Sequence, residues 1–431
     1  MIPRLPDSTL PLLRQGYTFV SATCDRLGTD AFRTRLFLRP VVCMRGAEAA
    51  EFFYDGGRFV RARAIPRSAK HLLQDAGSVQ ALEGEAHRHR KDLFIDVAEG
   101  HGAQELGHYF DEEWDRAEVR RPRRIILYED VSAVLASAVF RWSGLPVDPG
   151  TAALRARDLQ LMVEQAAGFG PANWHARRRR RAAEAWARDC VRRLRSGADG
   201  AGGSRIGDTD SAGHHAMLAQ LAPALAVALH RDLQGRLLPE EVAAVELLNL
   251  FRPVVAVGRY IVFAALALHR HPEWRPVLAG GDKVDLECFA QEVRRFYPFF
   301  PFVAGTARQA LQWHGHSFTQ GDWAILDLYG SNHDPRIFED PGAFQPERFR
   351  PAATGDVQPG PFGLIPQGAG DPLQGHRCPG EDMTMELLHR ALRILATDER
   401  WTVPAQDLTV DLAKIPALPR SGLVLERRRR R

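Results

Sequence analysis

The stretch from Pro239 to Pro272 restricts what this 431-residue chain can fold into more than any other. Pro239 suits a first helical turn, Glu240 and Glu241 sit at its positive end, and Pro272 stops it. About 30 residues at a rise of 1.5 Å give a rod of roughly 45 Å, long enough to cross the molecule. Its sequence, VAAVELLNLF and then VVAVGRYIVFAALAL, is apolar on nearly every side, so it belongs inside. Arg252 and Pro253 stand in its middle. Proline there removes a backbone hydrogen bond and predicts a kink. A buried arginine needs an internal carboxylate, a carbonyl or an anionic ligand.

Helical periodicity governs most of the remaining chain. Segments 104–118, 129–143, 151–167, 177–195, 214–230, 285–297 and 380–396 read as helices. Strand-like pieces are short: Leu36–Cys43, Glu51–Tyr54 with Arg58–Arg61, Arg308–Leu311, Ala324–Leu328 and Gly422–Leu425. The class expected is therefore mainly α with a small β-rich portion near 30–65, 305–330 and 405–426. The hydrophobic share of 45% is ample for a large core. No repeat or clean linker divides residues 1–431, which read as a single domain; Ser196–Ser211 and Pro351–Pro361 read as irregular connectors.

The net charge of +4 is local, because Arg177–Arg181 and Arg427–Arg431 are both arginine runs. Such runs are usually a solvated helix face and a tail; contact with nucleic acid or anionic lipid is the rarer use. No zinc-finger spacing or aromatic-interleaved basic stripe supports nucleic-acid binding. Cysteines 24, 43, 190, 288 and 378 are scattered without a CxxC, which fits a reducing compartment rather than a disulfide framework. The first residues lack a signal-peptide pattern, and no integral membrane segment is expected; the reading is a cytoplasmic protein.

Chemistry concentrates in Pro366–Glu381, PQGAGDPLQGHRCPGE, followed by a helical DMTMELLHRALRIL. An isolated cysteine is most often a buried thiol. Here glycines let backbone N–H groups approach the Cys378 sulfur, and the next helix aims its positive end at it. A thiolate so placed can be an axial iron ligand. Upstream, Glu292 and Arg295 stand three apart on a helix, and PERF supplies Arg348. Alone, such a pair is usually a surface salt bridge.

The order of these motifs resembles a haem-thiolate cytochrome of the P-450 superfamily over roughly residues 10–425. The resemblance implies a triangular helical prism with a small β-rich subdomain, and haem b with Cys378 of Gly375–Gly380 as iron ligand. It also implies a structural ion-pair network of Glu292, Arg295 and Arg348. Oxygen-activating members usually carry an acid–alcohol pair where this chain has Arg252-Pro253. The peroxide-driven fatty-acid hydroxylases and decarboxylases of the superfamily have the Arg-Pro form. They also resemble GSVQALEGEAHRHRK (Gly77–Lys91), RRFYPF (Arg294–Phe299) and PALPRSG (Pro416–Gly422).

That likeness implies a peroxygenase with a long-chain fatty acid and hydrogen peroxide as co-substrates and no obligatory redox partner. Arg252 would hold the carboxylate by a charge-assisted contact, and the carboxylate would shuttle the peroxide proton. Fixing the carboxylate puts the alpha or beta carbon nearest the oxidant, giving hydroxy acids or, after loss of carbon dioxide, a terminal alkene. Gln80 favours hydroxylation, since decarboxylating relatives tend to carry histidine there. By the same mapping His87, Lys91 and His376 would meet the haem propionates, and Phe299 and Phe169 would line the acyl channel. Leu73-Gln74-Asp75 departs from the relatives' apolar Leu-Phe-Gly. Two alternatives are a reductase-dependent haem-thiolate monooxygenase acting on another substrate and a non-catalytic haem or fatty-acid binder.

Overall fold

A computed structural model describes residues 2–61, 64, 67–74, 77–98, 100–200, 221–351, 359–373 and 375–428. Asp75, the 201–211 connector, 214–220, 352–358 and Arg429–Arg431 lie outside the described residues. The apolar stretch forms two successive helices, Glu240–Ala256 and Gly258–Arg270, separated at Val257. Pro253 has no N–H for the carbonyl one turn back. The interruption appears at Val257, whose N–H is shared between the Pro253 and Val254 carbonyls at 3.2 and 3.1 Å. By length and composition this pair could cross a membrane, yet its most apolar window is 94% buried within the protein. It is the axis of the core.

Around the first half pack the helices Leu127–Trp142, Pro149–Glu164 and Pro171–Gly200; around the second pack Leu127–Trp142, Lys283–Phe296 and Glu381–Thr397. The β portion lies beside this body. Its six-stranded sheet runs Arg4–Asp7, Ala31–Leu36, Arg39–Met44, Trp323–Asp327, Phe302–Ala307, Phe59–Val60. A second sheet joins Trp401–Thr402, Val424–Arg427 and Arg124–Ile126, and Leu311–Trp313 pairs with His316–Phe318.

Several strand expectations need correction. Glu51–Tyr54 belongs to a helix, Ala47–Tyr54, whose Ala49, Ala50 and Phe53 are buried; that spacing is helical, not alternating. Arg308–Leu311 is mostly a connection, with the strand beginning at Leu311. Within 405–426 strand pairing is confined to an isolated bridge, Val410 with Pro419, and the residues from Val424. Ser196–Gly200 continues the long Pro171–Gly200 helix, and within 214–230 the described helix is Pro223–Leu229.

Leu36–Cys43 is not one strand but the turn and second arm of a hairpin in which Leu36 pairs with Arg39. Its two turn residues, Phe37 and Leu38, have φ of 51° and 64°. A two-residue turn with both φ positive is normally Asn-Gly, and a side-chain-bearing residue there costs about 1–2 kcal/mol. Both turn N–H groups are tied down: Phe37 donates to Thr9 Oγ1 at 2.6 Å and Leu38 to Asp7 Oδ2 at 3.0 Å.

The arginine run 177–181 is split by burial. Arg178 and Arg181 face solvent, whereas Arg180 is 0% exposed. Its guanidinium bonds Glu184 Oε1 at 2.6 Å and the Leu72 and Gln74 carbonyls at 3.2 Å each. The Glu292–Arg295 pair is likewise interior. Glu292 accepts two bonds of 2.7 Å from Arg295, one of 2.8 Å from the Gln345 N–H, and lies 3.3 Å from Arg348 Nε. Arg295 also donates to the Asn332, Pro341 and Ala343 carbonyls, which fixes the segment before the cysteine loop. Glu292→Ala should strand a buried cation and cost about 3–5 kcal/mol, read as a lower midpoint in urea unfolding.

Candidate active site

The glycine-rich loop turns back on itself so that the Cys378 N–H donates to the Gln367 carbonyl at 3.2 Å. Gly368 permits this closure: at φ 101° an added Cβ would meet Tyr54 Oη at 2.9 Å and Arg377 Cα at 3.3 Å. The helix Glu381–Thr397 starts three residues past the sulfur. Burial raises the Cys378 thiol, while the Gly380 N–H, the Gln367 amide and Arg294 favour its thiolate. Glu381, in that first turn, is gripped by Arg294 and by Arg377 Nε, the latter at 2.6 Å. Burial would raise its carboxyl, but the two arginines hold it below the usual range.

On the other side of the loop stands the helix Gly84–Ala98, with His87 and Lys91 one turn apart. The His87 ring lies 4.2 Å from the His376 ring, and His376 Nε2 is 3.6 Å from Glu83. Lys91 Nζ donates to the Gly375 and Arg377 carbonyls, at 2.5 and 3.0 Å, tying the helix to the cysteine loop. Burial, and then the neighbouring cations, push His87 down to about 3; burial brings Lys91 down to about 8. Arg61, which sequence reasoning missed, joins the group: it bonds the Ala304 carbonyl at 2.8 Å and adds to the field that lowers His376. Four basic side chains from three segments thus gather beside the cysteine loop with Glu83 as the acid among them.

Arg252 lies on the core helix, 5% exposed. Its Nη2 donates to Asn249 Oδ1 at 2.9 Å, and its Nη1 has no hydrogen-bond partner among the described residues. Asn249 in turn donates to Gln80 Oε1 at 3.2 Å and to Glu246 Oε2 at 2.9 Å. The second Glu246 oxygen accepts from the Val79 N–H and from Arg90 Nη1, both at 2.8 Å. Residues 246, 249 and 252, spaced by three, therefore share a side of the helix and lock the 78–81 turn against it. Burial lowers the Arg252 guanidinium to about 9, helped by Arg180 and opposed by Glu246, so it remains cationic at neutral pH. Between Ala243 and Ala256 only Pro253 is exposed, so the helix borders accessible space beside Arg252.

Phe299 is half-buried and stacks on Tyr260 at 4.1 Å; its carbonyl accepts from Tyr17 Oη at 2.7 Å, and the same phenol oxygen is 3.5 Å from the Ala417 N–H. Phe169 departs from the expected lining position. It stands 61% exposed in its glycine-flanked loop, 5.9 Å from Phe37. Glu246 and Arg90 were not foreseen; the lone acid in VAAVELLNLF was their one available signal.

Comparison with known proteins decides the family. The profile described as Cytochrome P450 matches residues 286–399, which contain Glu292, Arg295, Arg348 and the cysteine loop. A variant of cytochrome P450SP alpha whose structure is solved is 40% identical, covers 98% of each chain and superposes with a TM-score of 0.88. The chain belongs to the cytochrome P-450 superfamily. Cytochrome P450EX alpha, solved with myristic acid, is 36% identical over 99% of this chain and 98% of its own, with a TM-score of 0.87. A variant of cytochrome P-450 OleT, solved with arachidonic acid, is 29% identical over the same shares, also at 0.87. Curated relatives match more locally. A flavonoid-6-hydroxylase of Mentha piperita is 35% identical over 115 residues, 26% of this chain and 21% of its own length. That of Ocimum basilicum is 36% identical over 137 residues, 31% and 24% of the two chains. The chain thus spans about a quarter or less of these two relatives.

P-450 membership implies haem, and the residues present fit it. A thiol with an N–H donor aimed at its sulfur suits an iron ligand, and the Arg61 and Lys91 cations with the His87 and His376 ring N–H groups suit two propionates. Cys378→Ala should abolish the thiolate-type absorption band of the reduced carbon monoxide complex; survival of that band would put the ligand elsewhere.

Proposed function

We propose that this P-450 is a peroxygenase that uses hydrogen peroxide to hydroxylate long-chain fatty acids at the alpha or beta carbon, with terminal alkenes as a minor branch. The observation that carries this reading is the free Nη1 arm of buried Arg252, held in place by Asn249. A cation inside a protein with one donor unused is matched by an anion, and a carboxylate accepts from a guanidinium in the paired geometry that donor offers. The fatty acids in the structures of P450EX alpha and OleT supply such carboxylates.

Haem bound through Cys378 would supply the oxidising centre, and thiolate ligation favours O–O cleavage. The chain's own residues set what reaches it. Neither Arg252 nor Pro253 can relay a proton at neutral pH, so the core helix offers no side-chain acid at that point. The substrate carboxylate, clamped by Arg252, takes the proton from one peroxide oxygen and returns it to the other, which leaves as water. The oxygen that remains is the one inserted into the C–H bond, so that fatty acid and peroxide give hydroxy acid and water. Glu246 and Asn249 act through Arg252: they fix its fork, and the fork fixes which carbon can react. Gln80, bonded to Asn249, is an amide that holds a hydrogen bond without trading a proton, which favours hydroxylation over decarboxylation. Phe299 would shape the path of the acyl chain, backed by Tyr260.

Haem-loaded protein mixed with myristic acid and hydrogen peroxide, without reductase, should yield 2- or 3-hydroxymyristate by mass spectrometry. Turnover that instead requires NADPH, ferredoxin and reductase in the presence of catalase would replace this reading with the monooxygenase. Arg252→Ala should keep the haem spectrum and lose peroxide-driven turnover by roughly a hundredfold or more. Glu246→Gln keeps the side-chain shape but not the charge; it should raise KM for the fatty acid roughly tenfold and broaden the product ratio, whereas a merely structural role would lower stability and leave that ratio unchanged.

A further inference from the structure

We infer that Arg180 is a positioning residue of the site: its fork fixes the Leu72–Gln74 end of the segment that runs on to Gln80, and its charge adds to the pull of Arg252 on the substrate carboxylate. This rests on the reading of Arg252 as the carboxylate anchor. Arg180 acts from a different helix and without touching the substrate.

The Pro171–Gly200 helix packs along the first half of the core helix and carries Arg180 fully buried. The short helix Arg67–Leu73 ends beside it. A helix leaves its last carbonyls without partners and its end partly negative. Here the Leu72 and Gln74 carbonyls are both taken by Arg180, from Nη1 and Nη2 of one rigid fork, at 3.2 Å each. Further along, the segment is held a second time. Arg90 Nη1 donates to the Gly77 carbonyl at 3.4 Å, the Val79 N–H reaches Glu246, and Gln80 accepts from Asn249. The segment is thus pinned at one end to the Pro171–Gly200 helix and at the other to the residues that hold Arg252.

The second link is electrostatic. Burial and then the Arg180 charge lower the Arg252 guanidinium, with Glu246 opposing. Two cations in one buried neighbourhood repel, and an anion bound to one is drawn by both. Glu184 accepts from Arg180 Nε at 2.6 Å and offsets part of that field. Removing the Glu184 charge should therefore strengthen carboxylate binding while it weakens the fold. A purely structural role for the pair gives no such gain.

The test is calorimetric titration of the haem-loaded protein with myristic acid and with its methyl ester, which lacks the charge, followed by product analysis with hydrogen peroxide. Wild-type protein should prefer the acid. Glu184→Gln keeps an acceptor for Nε; it should raise the acid-over-ester preference roughly threefold or more and lower the thermal midpoint. Arg180→Met removes charge and fork together; it should cut that preference roughly fivefold or more and change the ratio of 2- to 3-hydroxymyristate. Arg180→Lys keeps the charge but cannot grip both carbonyls. It should hold the preference within roughly twofold of wild type and still change the product ratio. Wild-type protein that binds acid and ester alike removes the Arg252 anchor, and the role of Arg180 with it. Wild-type protein that prefers the acid, with that preference unchanged in Glu184→Gln and Arg180→Met, overturns the role of Arg180 and leaves the anchor standing. So does an Arg180→Lys variant with the wild-type product ratio, since the fork would then position nothing.

Discussion

A guanidinium sealed in the core with one arm bonded and one arm free sets the terms for this molecule. Burying such a charge is tolerable only if the surroundings hold it at the right place and supply opposite charge nearby. Glu246 is that opposite charge, but it is shared: Arg90, Asn249 and the Val79 N–H all draw on it. Arg252 is therefore positioned by the network without being neutralised by it. The long helix, buried on nearly all sides, provides the rigid line along which residues 246, 249 and 252 keep their spacing.

The cysteine side follows a similar plan with other parts. Glu381 lies close to the sulfur, where a free carboxylate would oppose a thiolate, and Arg294 and Arg377 both engage it. The Gly380 N–H and the Gln367 amide face the sulfur from the loop itself. Beyond the loop the cations Lys91 and Arg61, with the His87 and His376 imidazoles that burial and these cations push toward the neutral form, leave room for an anionic neighbour. Charges here are arranged in depth: each group near a reactive atom has a second group that limits its effect.

How far the sequence revealed this depended on the range of the contact. The Cys378 loop, the Glu292–Arg295 spacing and Arg252-Pro253 are local patterns, so they were visible in the sequence, and their order carried a resemblance that none of them carried alone. The network behind Arg252 was not visible, because Gln80 and Arg90 reach Asn249 and Glu246 across more than a hundred and fifty residues of chain. Arg180 was concealed for another reason: inside a run of identical residues, only the packed helix separates the one that is fully buried. The β portion misled most. AEAAEFFY reads equally as a short strand or a helix, and a hairpin with Phe-Leu at its turn carries none of the Gly or Asn that normally mark one.

Tyr17 carries a consequence for how the molecule assembles. Its hydroxyl donates to the Phe299 carbonyl and lies in reach of the Ala417 N–H, so one phenol joins the beginning, the later middle and the end of the chain. Contacts of such sequence separation close late, since each must overcome the entropy of the loop it forms. During synthesis Tyr17 emerges before both partners and waits for a residue 400 positions further on before this junction can close. The aromatic wall at Phe299 is thus among the last parts of the site to be fixed, and loss of the segment around Ala417 would loosen it.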